Sequence, residues 1–488
     1  MIPVAQVTIH RLPDNVLLDV FDFYRVDHAV RLQSIDYPFS SPPWRWKTLS
    51  QVCRRWRDIL FGSPRRLDLR LVITVTTPAR PGTLLDCLAI WPSLPLAVLS
   101  RTLLIQIDPQ DRENIIAAVQ HRDRISEIFI ADINSTVLQD LVSALSEPVP
   151  ALTHFYLRSS RLSESVQGLP EAFLGGSAPL LKSFTLRGIP FPTFPQFILS
   201  ATRIVELGLF NIPNSGYLSP EVLATSLATL PNLKSLSIRT QFDESHPLPT
   251  SPPASTRVVL PALSYLHTDG VGVYSEDFVA RIDTPLLNEL YVVFFMDDSF
   301  GHTPEFHNFI CRTQMFRPFN QATMEFGTRK ITVVLGYLES RTALKLKIIF
   351  EVQSWEFEDW EISPMVQILS QQLPLVSHVE DLKIKISEIF WVTRVEHDSS
   401  EWLQLLHLFI AVRSLYVCKG SMSLVGPALQ ELVGARTMEV LPALRNLSLD
   451  GLQPSGPLPE GIQSFVAARQ VAGHPVEILV WVPYQDIE

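Results

Sequence analysis

One short pattern recurs through most of this chain: an apolar residue, two variable ones, a second apolar residue, one variable, and a third apolar residue. Nine clear copies begin at Leu152, Leu181, Ile204, Leu233, Leu263, Leu287, Val379, Val412 and Leu444. In the first, Leu152, Phe155 and Leu157 are the apolar positions; in the second, Leu181, Phe184 and Leu186. The last two apolar positions alternate with polar ones, which is the signature of a strand with every second side chain buried. A single strand of this kind cannot bury its own apolar edge. Copies at a fixed spacing must therefore stack on one another, and stacking makes a repeat architecture.

Through the middle of the chain the copies are 29, 23, 29, 30 and 24 residues apart. Six carry proline two residues before the first apolar position: Pro150, Pro179, Pro231, Pro261, Pro285 and Pro442. The segments between them read as helices or turns. Ser219-Pro220-Glu221, followed by Val222, Leu223, Leu227 and Leu230, combines an N-cap, a proline at the first helical position and an early acidic residue. Ser363-Pro364 before Met365 has the same grammar. This spacing and pattern resemble a leucine-rich repeat, which implies an α/β solenoid, a horseshoe, over residues 67–488. The asparagine that follows the strand in regular repeats of that family is absent, with Ser160 and Ile189 in its places, so the array is expected to be irregular. A mixed α/β domain without repeat symmetry is the alternative. A 92-residue gap before Val379 has room for weaker units such as the one at Ala343 to Ile348, and Pro247 to Pro253 reads as a loop within the array.

At 488 residues the chain is long enough for one elongated array or for several domains. Hydrophobic residues make up 46%, mean hydropathy is +0.17, and only 18% are charged, against about 25% in ordinary soluble proteins. Such a chain buries a large core. A net charge of −10 argues against a general nucleic-acid binder, which needs a basic face to neutralise phosphates. Cys53, Cys87, Cys311 and Cys418 lie far apart with no C-x-x-C spacing and read as reduced thiols. Neither a signal peptide nor a membrane span is expected, since the most apolar stretch, Leu84 to Leu99, is interrupted by Asp86, Pro92 and Pro95. The expected location is cytoplasmic, nuclear or both, which makes the sequons at Asn134 and Asn446 chance matches.

The first seventy residues follow a different logic. Leu12-Pro13 opens a helical pattern with Val16, Leu17, Val20 and Phe21 on one face. Leu49, Val52, Cys53, Trp56, Ile59 and Leu60 repeat that periodicity in a second helix, with Arg54, Arg55 and Arg57 pointing elsewhere. Taken together, the Leu-Pro opening and the Val-Cys-Arg-Arg-Trp-Arg helix resemble an F-box, over about residues 8–66. The departure is an insertion at about 25–45, containing Asp36-Tyr37-Pro38-Phe39, which is longer than an F-box needs. The resemblance implies a three-helix module that docks on the Skp adaptor of an SCF-type cullin-RING ubiquitin ligase. By position, Leu12, Pro13, Val16, Leu17, Leu49, Val52, Cys53 and Trp56 would line or support that interface. It further implies a non-catalytic substrate receptor, with a protein substrate held by the repeats. A scaffold that binds the Skp adaptor or another partner without promoting ubiquitination stays open beside it.

No motif for chemistry stands against this reading. A nucleophile elbow, P-loop, dinucleotide glycine fingerprint and H-E-x-x-H pair are all absent, so neither an enzyme nor a cofactor is expected. His302, His307 and Cys311 have ligand-like types but lack a fourth ligand, and no metal is expected there. Glu356, Glu358, Asp359 and Glu361 interleave with Trp355, Phe357 and Trp360, as in a solvated acidic turn over an aromatic anchor. The strand pattern does define a surface, because residues between the buried positions face the other way. Tyr156, Arg158, Arg187, Arg239, Tyr291 and Tyr416 are the expected substrate-binding residues on it, alongside Thr185, Phe210, Ser237, Lys383 and Lys385. Arginines on nearby strands suit an acidic or phosphorylated peptide. The alternative is a solvated face that compensates acidic neighbours such as Glu206 and Asp269.

Overall fold

Nine short strands, each preceded by a tight turn, stand where the apolar pattern places them. The computed structural model describes residues 9–26, 45–63, 67–74, 94–99, 109–159, 168–239, 257–295, 303–336, 345–351, 362–386, 399–450 and 457–481, apart from a few single positions within them. It divides into two compact units, one of Met1–Ile204 with Phe210–Tyr217, the other of Val205–Leu209 with Leu218–Glu488. Both are mixed α/β. Residues 27–44, most of the expected insertion at about 25–45, lie outside the described residues, as do Pro247 to Pro253, His302 and the Glu356–Glu361 cluster.

The first unit opens with helices α1 (Asp14–Val26), α2 (Arg45–Val52) and α3 (Arg54–Gly62). Leu17 and Phe21 of α1 are buried, and the Phe21 ring lies 4.8 Å from the Trp56 ring of α3. The sequence pattern expected one helix from Leu49 to Leu60, and the structure corrects this. Cys53 leaves helical geometry (φ −159°, ψ 170°) and becomes the N-cap of α3, its Sγ accepting from Trp56 N at 3.5 Å. A cysteine keeps the 3.6-residue rhythm while breaking the backbone, so periodicity alone could not reveal it.

Five parallel strands follow in this unit: β1 (Leu71–Thr74), β2 (Leu96–Leu99), β3 (Ile125–Ile133), β4 (His154–Ser159) and β5 (Ser183–Arg187). Helices Pro109–Val119 and Ser135–Ala144 connect β2 to β3 and β3 to β4. Asn134, half of a sequon, caps the second of these by accepting from Val137 N at 2.9 Å, which gives that asparagine a structural use. Beneath β4 and β5, Phe155, Phe173, Phe184, Phe191, Phe194 and Phe197 pack as one aromatic cluster with ring centroids 5.3–6.5 Å apart.

The second unit begins with β6 (Glu206–Phe210) and continues through β7 (Ser235–Arg239), the short β8 (Val258–Val259), β9 (Tyr265–Asp269), the short β10 (Ile282–Asp283) and β11 (Glu289–Phe295). Then come β12 (Gln321–Phe326), β13 (Lys330–Gly336), β14 (Lys345–Glu351), β15 (Asp381–Ile386), β16 (Ser414–Val417), β17 (Asn446–Asp450) and β18 (Glu477–Trp481). The order across the sheet is β6-β7-β9-β11-β14-β13-β12-β15-β16-β17-β18, while β8 and β10 pair separately.

At every copy of the pattern the first apolar residue closes a turn, its N–H reaching the carbonyl three residues back. Leu152 bonds to Val149 at 3.2 Å, Leu181 to Ala178 at 3.1 Å, Leu263 to Leu260 at 3.4 Å and Leu444 to Leu441 at 3.1 Å. The six prolines occupy the second position of such turns, where a fixed φ near −65° is already correct. All three inward positions of each copy, apolar everywhere but at Thr268, are buried to 6% exposure or less. Each apolar one contributes roughly 1.5–3 kcal/mol by leaving water.

The gap before Val379 holds more than weak repeats. β14 is parallel to β11 and β12 is parallel to β15, but β13 is antiparallel to both its neighbours. The chain passes over two places, then doubles back to fill them. Alternation of Ala322, Met324 and Phe326, then Ile331, Val333 and Leu335, around Gly327 was the available signal for this hairpin.

In the second unit, neighbouring helices cap one another. The Glu276 carboxylate on helix Val273–Ala280 accepts from Glu305 N at 2.7 Å and Phe306 N at 3.2 Å, at the start of helix Pro304–Arg312. Glu401 does the same for the next start, accepting from Ser363 Oγ at 2.7 Å and Ile362 N at 3.3 Å. Burial pushes the Glu276 carboxyl up to about 7, the two amide bonds opposing that shift and the Glu305 charge adding to it. A folded-state value above the unfolded one means that the unfolded chain ionises first as pH rises. Stability is therefore expected to fall between about pH 4.5 and about pH 7 and then level off. Chemical denaturation across that range should show the decline in the parent and a flatter profile in Glu276→Gln.

Helix Glu460–Val471 approaches helix Met422–Gln430 so closely that a Cβ built on Gly461 would stand 2.3 Å from the Gly426 carbonyl oxygen. A Cβ on Gly426 would meet nothing within 4 Å. Gly461→Ala is accordingly expected to cost about 1–3 kcal/mol, whereas Gly426→Ala should stay within about 1 kcal/mol of the parent. Urea melts of the two variants measure the difference.

Candidate functional site

In the N-terminal module, Arg55 ties the Leu-Pro opening to α3. Its guanidinium donates to the Leu12 carbonyl at 2.6 Å and to the Asp14 carboxylate at 2.5 and 3.1 Å. Arg57 Nε reaches the Ser50 carbonyl at 3.1 Å across the α2–α3 break. Neither arginine was among the expected site residues, because the pattern treats them only as the outward face. Of those expected, Leu17 and Trp56 are buried, Leu12, Val16, Leu49 and Cys53 are half-buried, and Pro13 and Val52 are exposed. Leu17 and Trp56 therefore hold the module together and do not present a surface. Apolar side chains that do face solvent are Ile9 (43%), Val20 (42%), Phe23 (74%) and Val52 (53%). A shallow cleft of about 490 Å³ between Asp14, Arg54, Arg55, Asp58 and Ile59 has its charges paired internally.

The sheet face in the first unit departs from expectation. Tyr156 stacks on Phe129 at 4.1 Å, and Phe129, Leu99 and Ala97 are all buried on that side. β2 and the middle of β3 are apolar on both faces, so this part of the sheet is covered twice. Glu127, at 2% exposure, is held there by Arg70 and by His154 Nδ1 at 3.2 Å. Arg158 and Arg187 are register partners on neighbouring strands. Arg158, however, binds both oxygens of Asp132 at 2.8 Å. Arg187 lies over the Phe210 ring, 5.9 Å from its centroid, with no ion pair among the described residues.

Arg239 belongs to the second unit, where it too is neutralised, by Asp269 at 3.6 Å, and lies over the Phe295 ring at 5.4 Å. Asp269 also bonds His267 Nε2 at 2.5 Å, and the His267 ring meets Tyr291 edge-on at 4.4 Å. Two of the three expected arginines are thus counterbalanced by carboxylates that lie outside the strand pattern or beside it. The alternative of internal charge compensation holds for Arg158 and Arg239.

Register nevertheless assembles a continuous row on the open face of the second unit. Ser237, His267, Tyr291 and Lys347 are successive partners across β7, β9, β11 and β14. Val334 and Thr323 carry it across the hairpin to Lys383, Tyr416 and Ser448. Lys347 Nζ sits 4.6 Å from the Tyr291 ring centroid and Lys383 Nζ 4.1 Å from that of Tyr416. Burial raises the phenol of Tyr291, with Asp269 and Glu351 adding to it, and lifts Tyr416 to about 12 with help from Asp450 and Cys418. Both phenols are neutral donors at ordinary pH. The Cys418 thiol is raised as well, chiefly by burial, which leaves it a poor nucleophile. Among the described residues no three metal-ligating side chains converge; His307 and Cys311 meet at 3.6 Å on one helix and nothing joins them.

No family model matches the chain, and no curated protein matches it. A solved structure, the leucine-rich repeat-containing protein LegL7 from Legionella pneumophila, is 13% identical, covering 68% of this chain and 94% of that one at a TM-score of 0.29. A likeness that low carries no argument about fold or function. No helix among the described residues is long and apolar enough to cross a membrane.

Asp269 is a structural acid shared by the Arg239 guanidinium and the His267 ring, both largely shielded from water. Asp269→Ala should cost about 3 kcal/mol in chemical denaturation, since it leaves Arg239 and His267 without their partner. Asp269→Asn, which keeps one acceptor, should cost less.

Proposed function

We propose that this chain is a substrate-recognition subunit of an SCF-type ubiquitin ligase, with α1–α3 an F-box that binds the Skp adaptor and the repeated strand units a leucine-rich-repeat-like receptor for a protein. The observation that carries the reading is the pairing of the Leu12-Pro13 opening with the Cys53-to-Trp56 helix start in a small helical module that leaves Phe23, Val20 and Val52 in solvent. A module of this size that holds several apolar side chains outward is built to be covered by a partner. The receptor half rests on a face whose half-buried side chains are tyrosine, lysine and hydroxyl residues, with no convergent catalytic set among the described residues.

On this reading the mechanism is proximity. The adaptor fixes the chain to the cullin, the repeats hold a substrate, and the raised effective concentration drives ubiquitin transfer without chemistry here.

Burial separates docking from folding in the test. Phe23→Asp with Val52→Asp should abolish capture of purified Skp adaptor while leaving the thermal midpoint within a few degrees of the parent. Leu17→Ala, at 0% exposure, should instead lower stability by about 2–5 kcal/mol. Failure of the well-folded parent to capture the adaptor would sink the proposal.

A further inference from the structure

We infer that β18, the last strand of the second unit's sheet, pairs antiparallel with β18 of a second copy of this chain, about a two-fold axis at Leu479. The inference concerns a surface that the adaptor-binding reading does not use, and it stands without that reading.

An unfinished core marks the place. Leu382, Leu415, Leu447 and Ile478 are successive inward partners across β15 to β18. The first three are buried to 1% exposure or less, whereas Ile478 is only half-buried. β18 pairs with β17 along its whole length, and no described residue pairs with its other edge. Exposed sheet edges are ordinarily blunted by lysine, proline or a bulge. The residues of β18 include no lysine and no proline, and its register with β17 runs without a bulge. Leu479 stands 45% exposed at its centre.

Hydrogen-bond geometry fits this edge to its own copy. Glu477 N donates to the Arg445 carbonyl at 2.7 Å, so in a parallel ladder Glu477, Leu479 and Trp481 turn their backbone groups toward β17. Ile478 and Val480 turn theirs outward, symmetrically about Leu479. An antiparallel copy with Leu479 opposite Leu479 sets each Ile478 opposite a Val480, and every outward N–H then meets an outward carbonyl of the other copy. A slip of one residue would oppose outward groups to inward ones. In the matched register the two Leu479 residues form a non-hydrogen-bonded pair, the kind whose side chains approach most closely. The same pairing covers Ile478 from the side on which the array leaves it open.

Charge permits the encounter. Each copy carries a net charge of −10, so two copies can meet only where charge is sparse. Glu477 is the one charged residue of β18, and the antiparallel register sets it opposite Trp481, at the far end from its counterpart. Beyond its initial Glu460, helix Glu460–Val471 shows Gln463, Ala467, Gln470 and Val471 to solvent, none of them charged. A two-fold axis normal to the sheet keeps the helices of both copies on one side of it, so these uncharged faces accompany the paired strands.

Sedimentation velocity on the full-length protein, from about 1 to about 100 μM, reads the association. A species of twice the 55.1 kDa chain mass is expected to form as concentration rises. Leu479→Lys and Leu479→Glu should each weaken dimerisation at least about tenfold, because like charges then face each other across the axis, while thermal midpoints stay close to the parent's. Mixing the two variants sets Lys against Glu and should recover the dimer. Ile410→Lys, at another exposed apolar position (54%) in the turn before β16, should leave dimerisation unchanged. A parent that stays monomeric, a dimer indifferent to either charge, or a mixture that stays apart would each overturn the inference.

Discussion

The strand array in each unit depends on burying three inward side chains per repeat against the next repeat's three. No single strand and turn can satisfy that demand, because the edge it exposes is as apolar as the edge it buries. The proline turn makes the arrangement repeatable. It delivers the first apolar residue inward at a fixed angle, and the two that follow on the strand then have no choice of face. A one-residue slip would turn Leu207 and Leu209 outward and Glu206 and Gly208 inward, so register is strongly specified wherever the pattern runs.

That constraint explains both what could be read from the sequence and what could not. Nine strands were legible because the information is local: six residues suffice to state which face is buried. The β12–β13 hairpin was not, since it lies outside the repeated pattern and β13 runs antiparallel to both its neighbours. β2 and β3 were missed for the opposite reason. Leu96 to Leu99 are all buried, and a continuous apolar run carries no period to detect. In the N-terminal module the helical faces were legible but the Cys53 break was not, because a cap changes the backbone without disturbing the spacing of Leu49 and Trp56.

The candidate face was legible in part and for a related reason. Tyr291, Lys383 and Tyr416 follow directly from alternation, as do Arg158, Arg187 and Arg239. Alternation places side chains on a face; it does not say which of them are already paired. Asp132 sits at a positive φ of 57° where β3 bulges, a conformation that carries it out of the strand's rhythm and into reach of Arg158. Lys347 escaped notice because its strand neighbours another only after the hairpin has reordered the sheet.

The hairpin therefore has a consequence beyond topology. An uninterrupted run of parallel repeats would set each strand's central residue beside that of the next unit in sequence. Inserting β14, β13 and β12 between β11 and β15 puts Val334 and Thr323 between two tyrosine–lysine pairs. The pairs face each other in mirrored order, tyrosine outside and lysine inside, across a neutral stretch of two strands. Had the chain gone straight from β11 to β15, the two lysine–tyrosine pairs could not stand in this arrangement, because Lys347 would be absent from the row. The irregularity that most obscures the repeat in the sequence is what sets the two lysine–tyrosine pairs apart on the face.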